Sequence, residues 1–328
     1  MKEPLRVHVL YEHVVQPHSS GFIRLLQPLS HPSLAEHLKM TQGVLYERLD
    51  ADIVIVDRLW NPYNITLMVA KDIVNEIRIA GASFIYALDD NFFDIPTTHP
   101  NPPTQDQLEA VNYFLRTADM VWVTTPYLQQ CFVDFNSNIQ VLPNCLDERL
   151  LVQRAPRLEP SPFEPDKKVI GYMGTLTHDD DLLMVLPALQ AVCARHPEVE
   201  IQIIGVTGNV ETHAKLEGLP IRYIKPIQGE ETYPNFMLWF TSWVSWDIAI
   251  APLDNTEFNR AKSDIKFLDY AAIAAAGIYS DVQAYQESVA EALRVCRDQI
   301  EQAWQVCNET SVRVWNIFQG YAQDKIEQ

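Results

Sequence analysis

Ala251-Pro-Leu-Asp-Asn-Thr-Glu-Phe-Asn-Arg-Ala-Lys-Ser-Asp-Ile-Lys-Phe-Leu-Asp-Tyr-Ala-Ala272 is the stretch that decides how this chain is read. It follows a short apolar run, 247–251, of the kind buried in a parallel sheet. Ile265, Leu268 and Ala272 then recur at helical spacing, which predicts a helix from about Asp264 with Ser263 as its N-cap. Lys262, Lys266 and Asp269 stand at i, i+4 and i+7 on one face of that helix. Two lysines at a helix N-terminus oppose the macrodipole, a cost with no return unless an anion such as a diphosphate sits there. Asp269, one turn further in, can only accept hydrogen bonds when ionised, which suits sugar or ribose hydroxyls. The same spacing also suits a plain i, i+3 ion pair between Lys266 and Asp269.

Outward from this segment, β-branched runs alternate with amphipathic ones along most of the chain. Runs at 5–10, 52–57, 83–88, 120–124 and 139–142 are separated by helical patterns near 22–29, 65–79, 107–117 and 127–135, a βαβ succession. Pro156, Pro160, Pro162 and Pro165 then mark an extended connection. The alternation restarts at 168–172 and runs through 199–204, 221–224, 247–251 and 278–280. We therefore expect an α/β protein of two Rossmann-like, doubly wound domains facing across a cleft. The first spans 1–150, a Pro-rich linker 151–166, and the second 167–300, with a C-terminal helix at 301–328. Ligands of open parallel sheets sit beyond the carboxyl ends of the strands.

Composition narrows the function classes. The chain has 328 residues, 47% of them hydrophobic, with 25 Lys and Arg against 43 Asp and Glu and a formal charge of −18. Such a surface repels nucleic acid, so any phosphate-bearing ligand must meet a local basic site. Five scattered cysteines without metal-ligand spacing argue against a zinc site or a disulfide framework and suit a reducing compartment. No run approaches the ~18 apolar residues of a membrane span. The expectation is a cytoplasmic protein. Peripheral contact at the inner face of a membrane stays open.

Three further constellations fall at strand ends. Val169-Ile-Gly-Tyr-Met-Gly-Thr-Leu-Thr-His-Asp-Asp-Asp181 carries a strand into a Gly-containing turn, so Gly174, Thr175 and His178 are expected to offer N–H groups to a phosphate. Thr177 as a cap and Asp179 to Asp181 as complements of the helix dipole are the simpler reading of the rest. Ser20, Gly21 and Arg24 follow the first strand, where a loop could face the cleft. Asp89 and Asp90 end another strand, where paired acids can bind hydroxyls or take a proton.

Taken jointly, Gly171-Tyr-Met-Gly-Thr-Leu-Thr-His178, Ile248-Ala-Ile-Ala-Pro-Leu253, Phe258-Asn-Arg-Ala-Lys-Ser-Asp-Ile-Lys-Phe-Leu-Asp-Tyr-Ala-Ala272, Ser280-Asp-Val-Gln-Ala-Tyr285, Ala118-Asp-Met-Val-Trp-Val-Thr-Thr-Pro126 and Val141-Leu-Pro-Asn144 resemble retaining GT-B glycosyltransferases of family 4. That resemblance implies a nucleotide-sugar donor held mainly by the second domain, an acceptor held by the first, and a closing helix that crosses back. It places Lys262 and Lys266 near the diphosphate. The family's motif has two glutamates separated by seven residues. Asp269 matches the second, whereas the first falls on Ala261, leaving Asp254 or Asn259 to serve around the donor sugar. The segment after Tyr285 is also shorter than the family pattern.

The expected activity is transfer of a hexose from a UDP-sugar, UDP-glucose first, to a glycan or lipid-linked saccharide in polysaccharide biosynthesis, with retention and without a metal or other cofactor. Lys262, Lys266 and Asp90 are the catalytic candidates. Gly174, Thr175, His178, Ile224, Lys225, Asp254, Asn259 and Asp269 are the donor-binding ones, and Ser20, Gly21, Arg24 and Asp89 the acceptor-binding ones. The competing readings are a metal-dependent transferase using Asp179-Asp180-Asp181 or Asp89-Asp90, a sugar-nucleotide epimerase of the same architecture, and a silent nucleotide-sugar-binding protein.

Overall fold

A computed structural model describes residues 3–13, 17, 19–46, 50–151, 167–205, 209–226, 228–229 and 231–292. Residues Met1–Tyr285 form one compact unit that holds two sheets. Most of the expected Pro-rich connection and all of the expected C-terminal helix lie outside the described residues.

Every strand pair is parallel. The first sheet contains β1 (Leu5–Leu10), β2 (Leu38–Gly43), β3 (Ile53–Asp57), β4 (Ser83–Leu88), β5 (Met120–Val123) and β6 (Ile139–Val141), in the order β2-β1-β3-β4-β5-β6. The second contains β7 (Lys168–Met173), β8 (Val199–Ile204), β9 (Ile221–Ile224), β10 (Ile248–Ala251) and β11 (Ala276–Tyr279), in the order β11-β10-β7-β8-β9. The doubly wound α/β expectation holds for both. In each sheet the direction of winding reverses once, between β1 and β3 and between β10 and β7. Those reversals splay the following loops apart and open a crevice.

The helices form where local signals agree. Leu67–Ile79 buries Ala70, Ile73, Val74 and Ile77 on one stripe, and the Thr66 hydroxyl accepts the Val69 N–H at 3.2 Å. Gln105–Thr117 starts with a full capping box between Thr104 and Gln107. Both pack on one face of the first sheet, around Phe84, Tyr86 and Phe114, while Leu25 and Leu26 cover the other face. In the second sheet Leu182, Leu189 and Leu216 pack on Ile170, Tyr172, Ile201 and Ile203.

Several expectations need correction. The edge strand β2 was not expected, because Leu-Lys-Met-Thr-Gln-Gly is mostly polar and only its partial burial beside β1 makes it a strand. The helix Val210–Leu216 was also missed. The first helical stretch begins at Ser19, before the expected start, and contains a wide turn at Phe22–Leu26.

Candidate active site

The crevice of the second sheet is built by the loops after β7 and β10 and by the helix Ile265–Ala272. That helix starts one residue later than the periodicity suggests, with Asp264 at the N-cap position and no side-chain cap. Ser263 does not cap it, because the Ser263 hydroxyl instead accepts the Asn144 Nδ2–H at 2.7 Å from the first-sheet side. Nor does Thr177 cap the next helix, since a 3-10 turn at Leu176–His178 intervenes.

Lys266 and Asp269 point into the protein. Lys266 Nζ and Asp269 Oδ1 are both shielded from solvent and have no hydrogen-bond partner, and the ammonium stands 5.1 Å from the centroid of the Tyr172 ring. The i, i+3 ion pair is not formed at either atom. Burial pushes Asp269 up to about 7 against the pull of Lys266. Burial likewise brings Lys266 down to about 8, opposed by Asp181 and Asp269 and reinforced by Lys262. Native proteins rarely leave such groups unpaired, because a buried polar atom without a partner costs about 1 to 3 kcal/mol.

Asp181, read from the sequence as a helix-dipole residue, is the hub of this crevice. Its Oδ2 lies 2.8 Å from His178 Nδ1, and its Oδ1 accepts the Asp254 N–H at 3.0 Å. It thereby ties the β7 loop to the β10 loop. Asn259 braces the same loop, donating from Nδ2 to the Asp254 carbonyl at 2.9 Å. The phosphate-cradling expectation for the Gly turn needs revision, because Gly174 N–H donates to Ile204 O and His178 N–H to Thr175 O, each at 3.0 Å. Thr175 is exposed and its hydroxyl pairs with that of Thr177. Ile224 ends the far edge strand β9 and Lys225 follows it, with β8 between that strand and β7.

Lys262 behaves differently from Lys266. It lies ahead of the helix, so the common face assumed for Lys262, Lys266 and Asp269 is not formed. Its ammonium reaches across to Asp90 Oδ1 at 2.6 Å and stands over the Phe258 ring. Its neighbour Ala261 is fully buried among the core residues of the first sheet, and the Ala261 carbonyl accepts from Thr125. The segment around Ala261 is thus docked on the first sheet.

A second cluster occupies the crevice between β1 and β3. Arg58 Nε donates to Glu12 Oε2 at 2.6 Å, and its Nη1 bonds Asp89 and, at 3.0 Å, Asp90. Arg24 pairs with Asp57 at 3.2 Å and approaches Asp89 at 3.6 Å. Four carboxyl groups therefore share three cations, Arg24, Arg58 and Lys262. Burial pushes Asp57 up to about 6, with Glu12 and Asp89 adding to the rise and the two arginines opposing it. Asp90 is also buried, but Lys262 and Arg58 overcome that and hold it well below the usual carboxylate range. A proton-accepting role for Asp90 does not survive this, since a permanently ionised, doubly paired carboxylate anchors charge rather than collecting protons. Ser20 and Gly21 are buried in the helical stretch rather than exposed on a loop, and a Cβ on Gly21 would come 3.0 Å from Asp57 Oδ2.

Sequence reading missed Glu12, Asp57 and Arg58, and gave Asp181 only a helix-dipole role or, in the metal-dependent alternative, that of a ligand. The available signal for the first three was a charged residue closing each apolar run, as in Ile53-Val-Ile-Val-Asp-Arg58. Arg58 and Trp60 also adopt a left-handed backbone, each with φ of 50°. That conformation is unfavourable for side-chain-bearing residues and is held here by buried contacts such as the bond from Tyr86 OH to Arg58 O at 2.9 Å. Among the described residues no group of three or more His, Cys, Asp or Glu is placed to hold a metal ion, and no helix is long and apolar enough to cross a membrane.

No protein-family model matches the chain, and neither does any curated protein sequence. Solved structures do. Anabaena HepE in complex with UDP and glucose is similar at 13% identity and a TM-score of 0.53 over 86% of this chain and 82% of that one. The catalytic domain of starch synthase IV from Arabidopsis thaliana, bound to ADP and acarbose, gives 10% identity and 0.56 over 88% and 85%. A putative UDP-N-acetylglucosamine 2-epimerase from Listeria monocytogenes gives 10% and 0.50 over 87% and 82%. At such identities the likeness is one of architecture, and with its two parallel sheets and their crevices this chain has the GT-B fold.

Proposed function

We propose that the protein is a glycosyltransferase that takes a hexose, glucose first, from a UDP-sugar and transfers it with retention to a hydroxyl of a glycan or lipid-linked saccharide in polysaccharide biosynthesis. The observation that carries this is the pair of buried, unpartnered groups Lys266 Nζ and Asp269 Oδ1 at the winding reversal of the second sheet. A cation and an acceptor left unpaired side by side suit a ligand with both an anionic and a hydroxyl-bearing part, which is what a nucleoside diphosphate is. The UDP held by HepE in the same fold supports the choice of nucleotide.

The chemical task is to stabilise charge on the leaving diphosphate as the bond from the sugar breaks, with the acceptor hydroxyl held on the same face. Lys266 supplies fixed positive charge without a metal. Lys262 adds to that field from its anchorage on Asp90, close enough to depress Lys266. Asp269 takes ribose hydroxyls. The first-sheet cluster around Arg24, Asp89 and Asp90 borders the acceptor side. We place the enzyme in the cytoplasm, touching a membrane only through its acceptor.

The test is a thermal-shift screen of nucleotide sugars without added metal, followed by UDP-release assays with and without acceptor saccharides. A ligand that binds only the native state raises the melting temperature. No shift with any nucleotide would sink the proposal. One observation favours a second reading. Ala261 stands where the family has an acid and is buried against the first sheet, which suits a protein that binds the donor without turning it over. Tight UDP binding with no release of UDP from any UDP-sugar would select that reading.

A further inference from the structure

We infer that Asp181 is a positioning residue that fixes His178 with its proton on Nδ1, leaving the bare Nε2 to accept a hydrogen bond from a hydroxyl of the transferred sugar. The inference rests on the donor-site reading above and adds a residue that the family resemblance does not supply.

A carboxylate only accepts hydrogen bonds, so the contact between Asp181 Oδ2 and His178 Nδ1 at 2.8 Å requires the hydrogen on Nδ1. A neutral imidazole has one N–H, and Nε2 is then a lone pair. Burial lowers the proton affinity of His178, and Lys266 and Lys262 lower it further against the opposing pull of Asp181, which keeps the ring neutral. Asp181 cannot easily let go. It is 8% exposed, and its other oxygen is held by the Asp254 N–H.

The groups also have an order in space. Lys262, which reaches Asp90 on the first sheet, precedes the helix, Lys266 lies in its first turn and Asp269 in its second. His178 is tied through Asp181 to the Asp254 N–H, in the loop that leads to Lys262, which puts it toward the first-sheet end and Asp269 toward the other. With the diphosphate at Lys266 and the nucleoside at Asp269, what comes next to His178 is the sugar to be transferred. A bare nitrogen lone pair repels phosphate oxygens and accepts from a sugar O–H, so the dyad recognises the part of the donor that Lys266 does not.

Two measurements on the full chain test this. In ¹⁵N-histidine NMR of the ligand-free protein, His178 should carry its proton on Nδ1, and Asp181→Asn should reverse the tautomer, because the Asn amide donates to Nδ1 while its carbonyl keeps the Asp254 contact. In calorimetry, His178→Ala and Asp181→Asn should each weaken UDP-glucose about tenfold, the worth of one good hydrogen bond, and UDP by no more than about twofold. The double variant should match His178→Ala within about twofold, since Asp181 acts through the ring. A wild-type ring protonated on Nε2, additive losses, or equal losses for UDP and UDP-glucose would each overturn the inference. Failure of the wild-type protein to bind either ligand would instead overturn the donor-site reading, with the tautomer still deciding the dyad.

Discussion

Replacing Asp269 by Asn should stabilise the ligand-free protein, and increasingly so as pH rises. The ordinary aspartate value is 3.8 and the folded one about 7, with burial as the main cause. Between those values the folded protein keeps a proton that the unfolded chain has released, so folded stability falls as pH climbs through that window. At 1.36 kcal/mol per pH unit, roughly three units amount to about 4 kcal/mol lost by pH 8 relative to pH below 4. Asn is neutral throughout and nearly isosteric, so it avoids this loss. Lys266 stays charged below about 8, so its weakened attraction to position 269 changes the offset between the two proteins but not the trend. Urea unfolding of both proteins from pH 5 to 7.5 should show the variant's advantage widening by about 1.4 kcal/mol per unit up to pH 7 and then levelling. UDP affinity should fall in the same variant, a trade of function for stability. A difference that stays constant or narrows with pH would refute the claim that Asp269 is a buried acid kept for a ligand.

Other expectations follow from the same geometry. Lys266→Ala should reduce transfer by on the order of 10²-fold or more, the usual cost of removing preorganised charge stabilisation, as read by UDP release. A double-mutant cycle on Lys262→Ala and Asp90→Asn should give a coupling of about 1 to 3 kcal/mol in unfolding, because the pair is partly shielded and 2.6 Å apart; zero coupling would show that the contact contributes nothing across the two sheets. Gly171→Ala should destabilise by about 3 kcal/mol in the same assay, since a Cβ there would lie 1.7 Å from Trp246 Cδ2 in a packed aromatic group.

Much of the fold is legible in the chain itself because its causes are local. Parallel strands buried on both faces must be continuous apolar runs, and the runs that became β1, β3, β4, β7 and β10 are unambiguous for that reason. β2 and the helix Val210–Leu216 escaped notice because their sequences are mostly polar and their neighbours decide their conformation. The candidate site divides along the same line. Lys266 and Asp269 were recognisable from helical spacing after a buried strand. Their burial, the absence of partners at Lys266 Nζ and Asp269 Oδ1, and the separation of Lys262 from that face were not.

What the sequence determined by itself is the order and type of most elements, the doubly wound class, and the late helix on which the chemistry is expected, since periodicity and strand composition act over a few residues. Only the tertiary structure decided which charges meet. Glu12, the adjacent Asp57 and Arg58, and Asp90 come from three separate places in the chain, and Lys262 lies 172 residues from its partner Asp90. No local pattern encodes such a meeting. It is set by the strand order of the sheets, and whether a carboxyl ends as an anchored anion, like Asp90, or as a weak acid near neutrality, like Asp269, depends on the cations that this order brings within reach.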